Sequence, residues 1–345
     1  MAFIIDDTNP AVTLIETDVL LVGAGPIGIE LAVAFRANGI EYVHLDASQI
    51  GSTIAWYAPQ THFFSSPERI AIAGVPLQTL DQTKATREEY LTYLRAVVQQ
   101  FDLRIETFER VISLRKTNEG FEAKSTKRDY RARNVVLAIG DMHRARLINV
   151  PGEDLPHVSH YFGDPHQYFR RRVLIVGGQN SAVEAAIRCY RVGAQVTLSY
   201  RGLELDANRI KFWLLPEIRS LIRDGRITWL PSTTVREIHS DRVMLDLQEV
   251  EADAVLLLTG YEQDSSLYEQ AGVILEGERR KPRFDEQTME TNVPGLVAGT
   301  GVAGTQLGGV KEFIETSHVH VARIVAALTR TKPPVEAPAY ELPEA

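Results

Sequence analysis

Apolar runs alternate with helical stripes along the chain, and this alternation predicts two units of strand, turn, helix and strand. In the first unit, the apolar run Asp18–Val22 precedes a helical stretch over Ile27–Ala37 and a second strand over Glu41–Asp46. In the second unit, the strand Val173–Val176 precedes a helix that ends near Val192–Gly193. The strand Gln195–Ser199 follows, so the order of elements is the same in both units.

Other segments continue the same alternation. The continuous apolar runs Asn134–Gly140 and Ala254–Gly260 are near-copies, and each predicts a buried strand that closes its unit. Together the two units indicate a duplicated nucleotide-binding fold. Further strands are predicted at Leu103–Ile105 and Glu109–Leu114. Two helices follow from apolar positions at helical spacing, one at Tyr90, Leu91, Leu94, Val97 and Val98, and one at Val310, Phe313, Ile314, Val321, Ile324, Val325 and Leu328.

Glycine-rich turns connect the first strand of each unit to its helix. They read Gly23-Ala24-Gly25-Pro26-Ile27-Gly28 and Gly177-Gly178-Gln179-Asn180-Ser181-Ala182. Glycine lets the backbone approach a pyrophosphate closely, and the free amides at the helix start donate to it. The pair of turns therefore predicts two bound dinucleotides, although Gln179 replaces the middle glycine of the second turn.

The residue that ends the next strand distinguishes the two nucleotides. Asp46 follows the first unit's second strand and can accept hydrogen bonds from ribose hydroxyls, as FAD or NAD requires. Arg201 takes the corresponding place in the second unit and suits a 2′-phosphate, as NADP requires.

Composition narrows the class of protein. The 345 residues are 44% hydrophobic and carry a formal net charge of -8, which argues against nucleic acid as a partner. No apolar run approaches the ~18 residues that cross a bilayer, and residues 1–10 lack the features of a secretory signal. A single cysteine excludes an intrachain disulfide, so a cytoplasmic location is expected. The four prolines between Thr331 and Ala345 predict a flexible tail.

Two other chemistries receive little support from the sequence. His157, His160 and His166 cluster near Asp154 and Asp164, but their spacing matches no metal pattern, and a solvated connector is favoured. No metal is therefore expected. Cys189 shares a helical stripe with Ala182, Ala185 and Ala186, which favours an inert packing residue.

Several further stretches carry a resemblance to a known family. They are Thr61-His62-Phe63-Phe64-Ser65-Ser66, Val150-Pro151-Gly152-Glu153-Asp154, Ala138-Ile139-Gly140, Thr259-Gly260-Tyr261 and Met289-Glu290-Thr291-Asn292-Val293-Pro294-Gly295. With the two glycine turns, they resemble the bacillithiol disulfide reductase family, which is related to low-molecular-weight thioredoxin reductase. The resemblance extends from about Asp18 to Leu328.

This resemblance implies an α/β fold of two Rossmann-like domains, thioredoxin reductase-like, with the NADPH domain inserted in the FAD domain. The expected boundaries are 1–148 and 262–330 for the FAD domain, 149–261 for the NADPH domain and 331–345 for the tail. Hydride would pass from NADPH to flavin and then to a disulfide. The last helix is expected to return to the first domain, with its positive N-terminal dipole toward the flavin.

The chain departs from the family pattern at its cysteines. Members of the family place a cysteine directly after the Gly-x-Gly-Pro turn, where this chain has Ile27. The cysteine pair of thioredoxin reductases is also absent, since residues 157–169 contain no cysteine. Any disulfide reduction would therefore use the flavin directly or a cysteine of the partner.

The candidate site residues form two cofactor sets and one candidate acid. The FAD set is Gly23, Gly25, Pro26, Ile27, Gly28, Asp46, Ala47, Val111, Ala138, Gly140, Gly299, Thr300 and Gly301, with backbone near Val111 placed at the adenine by the resemblance. The NADPH set is Gly177, Gly178, Asn180, Ser181, Ala182, Arg201 and Lys211. His62 is the candidate proton donor near the flavin, although a structural hydrogen bond is favoured for it.

The predicted function is that of an NADPH-dependent FAD oxidoreductase with a small-molecule or protein electron acceptor, such as bacillithiol disulfide. The alternatives are a flavin monooxygenase, a reductase of a ferredoxin-like carrier and a non-enzymatic redox sensor. A carrier could dock at the basic run Arg170-Arg171-Arg172, whose other interpretation is a solvated turn. A homo-oligomer is expected.

Overall fold

The computed structural model describes residues 14–278, 280–298, 306–307, 310–311 and 313–332. The α-helices are α1 (Pro26–Ala37), α2 (Ser52–Ala55), α3 (Pro67–Ile70), α4 (Arg87–Gln100), α5 (Asn180–Arg191), α6 (Leu215–Arg223), α7 (Ser266–Gln270) and α8 (Ile314–Thr329). The first strands are β1 (Leu14–Val22), β2 (Tyr42–Leu45), β3 (Val111–Lys116), β4 (Phe121–Ser125), β5 (Asp129–Leu137), β6 (Arg144–Ala145) and β7 (Val158–Ser159). The later strands are β8 (Arg172–Val176), β9 (Gln195–Tyr200), β10 (Ile227–Pro231), β11 (Val235–Ile238), β12 (Arg242–Leu245), β13 (Glu249–Glu251), β14 (Ala254–Leu257), β15 (Tyr261–Glu262), β16 (Leu275–Glu276), β17 (Lys281–Pro282), β18 (Leu296–Val297), β19 (Gln306–Leu307) and β20 (Val310–Lys311).

The first sheet has the order β2-β1-β5-β4-β3. β1 runs parallel to both β2 and β5, and the late strand β18 also pairs in parallel with β5. Because β18 is separated from β5 by the whole second unit, the chain leaves the first sheet and returns to it. α8 then packs against α1, as the sequence predicted for the last helix.

The second sheet has the order β10-β9-β8-β14-β7, and its pairs are parallel. A small antiparallel sheet of β11, β12 and β13 lies beside it. The strands are short and rich in buried valine, leucine and isoleucine, as expected for parallel strands covered on both faces. The two sheets confirm the predicted duplication of the nucleotide-binding fold.

One predicted strand is absent, and the last helix begins later than predicted. Leu103–Ile105 does not form a strand, because the Leu103 amide donates to the Val98 carbonyl at the end of α4, and only Glu106 forms a bridge with Leu45. Val310 lies in the hairpin of β19 and β20 rather than in the last helix, which begins at Ile314. Periodicity alone could not separate a helix from the short strands that precede it.

No helix in the described ranges is both long enough and apolar enough to cross a membrane. Within the same ranges, no group of three or more histidine, cysteine, aspartate or glutamate residues could hold a metal ion. Residues 1–13 and 333–345, including most of the predicted tail, lie outside the described residues.

A buried histidine connects the first two strands. His44 in β2 is 1% exposed, and its Nε2 lies 2.9 Å from the Gly23 carbonyl oxygen. Because a carbonyl only accepts hydrogen bonds, Nε2 must carry the proton of a neutral ring. Burial lowers the pKa of His44 to about 4, since the charged ring would lose its hydration.

This low pKa predicts that acid destabilises the fold. The unfolded chain binds the proton near the ordinary histidine pKa of about 6.5, whereas the folded chain does not until about pH 4, so the free energy of unfolding falls as pH falls through this window. Between pH 7 and 5, the loss from this residue is about 2 kcal/mol. Chemical denaturation of the FAD-saturated protein should show that His44→Gln, which can keep a donor to Gly23, loses about 2 kcal/mol less than the wild type over this range.

The wild type and the His44→Gln variant must be compared because other histidines also change the pH dependence of the free energy of unfolding. His320 in α8 adds an effect of the same sign, since burial also lowers its pKa to about 4. His318 acts in the opposite sense, because its hydrogen bond with Glu30 raises its pKa against the effect of burial. Equal pH dependence in His44→Gln and wild type would contradict the assignment to His44.

Candidate nucleotide and flavin site

The first glycine turn packs against the end of β5. Gly23 has a φ of +107°, and a Cβ placed on it would lie 2.3 Å from the Ala138 carbonyl oxygen. A Cβ on Gly28 would lie 1.9 Å from the carbonyl oxygen of Gly23. Both positions therefore require glycine so that β1, α1 and the chain after β5 can approach one another.

Gly25 differs from these two glycines because it faces open space. A Cβ on Gly25 would meet nothing within 4 Å, and its φ of -75° is allowed for any residue. Gly25 is also the N-cap of α1, and no side chain caps the helix. The open space at an uncapped helix start fits a pyrophosphate, whose oxygens accept from the first amides of the helix. The turn therefore has the shape that a bound FAD needs.

Asp46 lies directly beside this turn. Its Oδ2 accepts from the Ala24 amide at 2.6 Å and its Oδ1 from the Ser48 amide at 2.7 Å. Burial raises the pKa of Asp46, and the two amide hydrogen bonds oppose that effect. The carboxylate thus fixes the turn to the end of β2, in addition to the ribose contact that the sequence predicts for it.

A buried carboxylate near Val111 was not found from the sequence. Glu109 is fully buried, and its amide donates to the Asp46 carbonyl oxygen at 2.8 Å. Its Oε1 accepts from the hydroxyls of Ser125 at 2.7 Å and Tyr130 at 2.5 Å, and Arg128 lies 3.3 Å from its Oε2. This network supports the strand end where the adenine is expected. The sequence placed Glu109 in a strand but carried no signal of its burial.

Three further residues of the predicted FAD set, Ala138, Gly140 and Ile27, lie near the same turn. Ala138 is buried and Gly140 has a φ of +67°, in the loop that follows β5. Ile27 is 3% exposed and packs in the core of the first unit, as an apolar side chain does, and it offers no reactive group. Gly299, Thr300 and Gly301 lie outside the described residues.

His62 lies on the surface of a cleft of about 540 Å³ whose lining also includes Ser66, Glu68 and Lys84. Its Nδ1 lies 2.8 Å from the Lys84 carbonyl oxygen, which matches the structural hydrogen bond that the sequence favoured. A role for His62 as a proton donor stays a prediction.

The second glycine turn is covered by an aromatic ring. A Cβ on Gly178 would lie 2.4 Å from the Tyr200 ring, and Gly177 has a φ of +148°. The start of α5 again has no side-chain cap, which fits an anion at the helix N-terminus. Gln179 has extended backbone, so a side chain there causes no strain.

Asn180 and Lys211 lie together in the second unit. The Lys211 amide donates to the Asn180 side-chain oxygen at 2.8 Å, which ties residue 211 to the start of α5. Ser181 is exposed and Ala182 is buried. Arg201 is exposed at the end of β9, where a 2′-phosphate could reach it.

The chain has one cysteine, and it is inaccessible. Cys189 in α5 is 0% exposed, and burial raises the pKa of its thiol to about 12. A thiol in this state is protonated at neutral pH and is a poor nucleophile. The packing role that the helical stripe indicated agrees with this position.

Comparison with known proteins identifies the family. Residues 20–299 match the family of pyridine nucleotide-disulphide oxidoreductases. Bacilliredoxin reductase Bdr of Bacillus subtilis is 34% identical over 92% of this chain and 99% of its own length. A solved structure of bacillithiol disulfide reductase Bdr from Bacillus cereus is 34% identical, with a TM-score of 0.86 over 92% of this chain and 99% of that chain. A ferredoxin–NADP reductase of Ignicoccus hospitalis is 26% identical over 81% of this chain and 88% of its own length.

These matches cover both glycine turns and most of the two sheets. They confirm the predicted resemblance, the thioredoxin reductase-like fold and the use of FAD with a nicotinamide nucleotide. The chain belongs to the pyridine nucleotide-disulphide oxidoreductase family and is an FAD-dependent NAD(P)H oxidoreductase.

Proposed function

We propose that the protein passes a hydride from NADPH to FAD and delivers the electrons to a low-molecular-weight disulfide without a thiol of its own. The observation that carries the first half is the open space at Gly25 on an uncapped helix start; α5 shares the uncapped start. The likeness to Bdr over nearly its whole length supports the disulfide as acceptor. FAD, when bound, takes two electrons as hydride and releases them to the acceptor.

The proposed FAD site uses the turn from Gly23 to Gly28 for the pyrophosphate. Asp46 accepts from the ribose with the lone pairs that its two amide partners leave. The backbone of Val111 contacts the adenine. The Glu109 amide, two residues earlier, donates to the Asp46 carbonyl oxygen and so holds this segment at the end of β2. Residues 1–148 and 262–330 form this domain in the proposal, since β18 and α8 return to the first sheet and its helices.

The proposed NADPH site lies in residues 149–261. The start of α5 takes the pyrophosphate, Asn180 holds the 211 segment beside it, and Arg201 pairs with the 2′-phosphate. Tyr200 covers Gly178, so its ring would move aside or stack on the nucleotide when NADPH enters.

A carrier protein is the second candidate acceptor, favoured by the ferredoxin–NADP reductase relative. The proposed docking run Arg170-Arg171-Arg172 offers less positive charge than its sequence suggests. Arg171 donates to the Asp253 carbonyl, and Arg172 pairs with Asp253 at 2.6 Å and also with Glu251. The disulfide is therefore the preferred acceptor. We propose a cytoplasmic location and a homo-oligomer as well, and both stay predictions.

Two glycine variants test the first site. Gly25→Ala should fold normally, because its Cβ enters open space, but should weaken FAD binding by about tenfold or more, because the methyl group occupies the place of the pyrophosphate. Gly28→Ala should instead destabilise the fold, because its Cβ meets the Gly23 carbonyl. Thermal unfolding of the FAD-free protein and release of fluorescent flavin on dilution separate the two effects. Unchanged FAD affinity in Gly25→Ala would show that the pyrophosphate does not bind at this turn.

Replacement of Arg201 tests the choice of nucleotide. Arg201→Ala should raise the KM for NADPH by about tenfold to a hundredfold and leave the KM for NADH nearly unchanged, because only NADPH has a 2′-phosphate. Arg201→Lys is the matched control and should keep part of the preference. Equal effects on both nucleotides would exclude the assignment.

An anaerobic titration tests the whole proposal. NADPH should bleach the flavin absorbance of the FAD-loaded protein, and bacillithiol disulfide should then restore it. Cys189→Ala should do the same within about twofold, because a buried thiol with a raised pKa takes no part. Bleaching without recovery would reject the disulfide and leave the carrier as acceptor, and failure to bleach would reject the NADPH half of the proposal.

A further inference from the structure

The two units meet along a seam that borders the first core, since Tyr57 and Phe63 of the seam pack against it. On one side lies the segment 56–64, and on the other lie α5, Tyr161 and Trp213. The Trp56 and Tyr161 rings are 5.4 Å apart, and the Phe64 and Trp213 rings are 5.9 Å apart. The core of the first unit shares no described residue with the two hydrophobic clusters of the second unit. An interface of single rings and polar groups holds two units less rigidly than a shared core does.

Arg188 donates two hydrogen bonds across this seam. From α5, its Nη2 donates to the Pro59 carbonyl oxygen at 2.5 Å and its Nη1 to the Thr61 hydroxyl at 2.9 Å. One face of the guanidinium lies 5.3 Å from the Phe162 ring. The side chain is 18% exposed, so these charge-assisted hydrogen bonds are partly shielded from water. We call this set of contacts the Arg188 bridge.

Glu184 completes the Arg188 bridge from one helical turn before. Its Oε1 lies 3.4 Å from Arg188 Nη1, and it also reaches the Thr61 hydroxyl. The carboxylate thus orients the guanidinium and balances its charge. A lysine could replace the charge of Arg188 but not its two-pronged geometry.

The position of the Arg188 bridge on α5 makes it relevant to the reaction. Arg188 lies eight residues after Asn180, so it is about 12 Å along the helix from the proposed nucleotide turn. Asn180 is bonded to the Lys211 amide, and two residues later Trp213 contacts Phe64. The orientation of α5 therefore determines how closely this turn approaches the segment 59–66.

That segment leads to the first turn of α8. The Ser65 hydroxyl donates to Glu315 Oε1 at 2.6 Å, and Glu315 is in the first turn of α8. The start of α8 is where the flavin is expected. A continuous path of contacts thus links the nucleotide turn, the seam and this helix start. A cleft of about 290 Å³, lined by Phe63, Glu184 and Trp213 among others, lies along it.

We infer that Arg188 is a positioning residue that holds the two units in the orientation in which reduced nicotinamide reaches the flavin. It acts through the carbonyl of Pro59 and the hydroxyl of Thr61, and it does not touch the reacting atoms. This inference requires only nicotinamide-dependent flavin reduction and is independent of which acceptor follows.

Stopped-flow reduction of the FAD-loaded protein by NADPH tests the inference. Arg188→Gln should lower the limiting rate of flavin reduction by about tenfold or more, because a misplacement of about 1 Å can cost a hundredfold. The dissociation constant for NADPH should stay within about twofold, because the nucleotide turn itself is unchanged. Arg188→Lys should be intermediate.

Thr61 supplies a second pair of variants that leaves the guanidinium in place. Thr61→Val removes the hydroxyl acceptor at nearly constant volume, and Thr61→Ser keeps it. The valine variant should lower the limiting rate, whereas the serine variant should not. This pair keeps the inference testable if Arg188→Gln does not fold.

A distance measurement provides a readout other than activity. Spin labels on Glu119→Cys and Arg226→Cys, which are exposed sites in different units, report the relative orientation by pulsed electron resonance. Cys189 is buried and should stay unlabelled. The wild type should show one narrow distance distribution, and Arg188→Gln should broaden or shift it. A slower reaction with unchanged distances, changed distances with an unchanged rate, or a faster reaction would each overturn the inference.

Discussion

The chain turns from β1 into α1 within a few residues, and this turn packs closely against the chain that follows β5. The proposed FAD site depends on that packing. The missing side chains of Gly23 and Gly28 let the Ala138 carbonyl and the Gly23 carbonyl occupy the space where Cβ atoms would lie. Asp46 holds the same turn through the Ala24 amide, and His44 holds it through the Gly23 carbonyl. Gly25 is left as the one glycine of the turn that faces outward. Packing on the inner side is what creates an open and rigid surface on the outer side.

The second unit repeats this arrangement with different supports. Gly177 packs on the Leu258 carbonyl as Gly23 packs on that of Ala138, but Tyr200 covers the turn and Asn180 is tied to Lys211. These differences suit two cofactors that behave differently. In the proposed assignment, the resident flavin takes the open turn, and the nicotinamide nucleotide, which enters and leaves in each turnover, takes the turn covered by Tyr200.

This chain has no accessible thiol. Its single cysteine is buried in α5, and Ile27 fills a core position directly after the first turn. In the proposed reaction, electron transfer therefore depends on the residues that hold the two units relative to each other. The Arg188 bridge and the pair of Phe64 and Trp213 lie between the two units, and the hydrogen bond from Ser65 to Glu315 connects that contact region to α8.

Local patterns were sufficient for most of the fold. Strand, turn and helix follow from neighbours in sequence, so both glycine turns, α1, α4, α5 and the strands that end near Gly140 and Gly260 were predictable. The predictions that proved wrong, at Leu103–Ile105 and at Val310, concern short segments whose hydrogen bonds to near neighbours, Leu103 to Val98 and Val310 with Leu307, replace the predicted element. The boundaries between domains stay predictions.

The amino-acid sequence by itself determined the two glycine-rich turns between strand and helix, because glycine acts at the place where it stands, and the lack of a cysteine pair, because the chain has one cysteine. Only the tertiary structure decided which glycine faces outward, that Glu109 is fully buried and bonded to the Asp46 carbonyl, and that Arg188 reaches the segment 59–61. The physical reason is the separation along the chain. Arg188 and Thr61 are 127 residues apart, and no periodicity or motif relates two residues at that distance until the sheets bring them together.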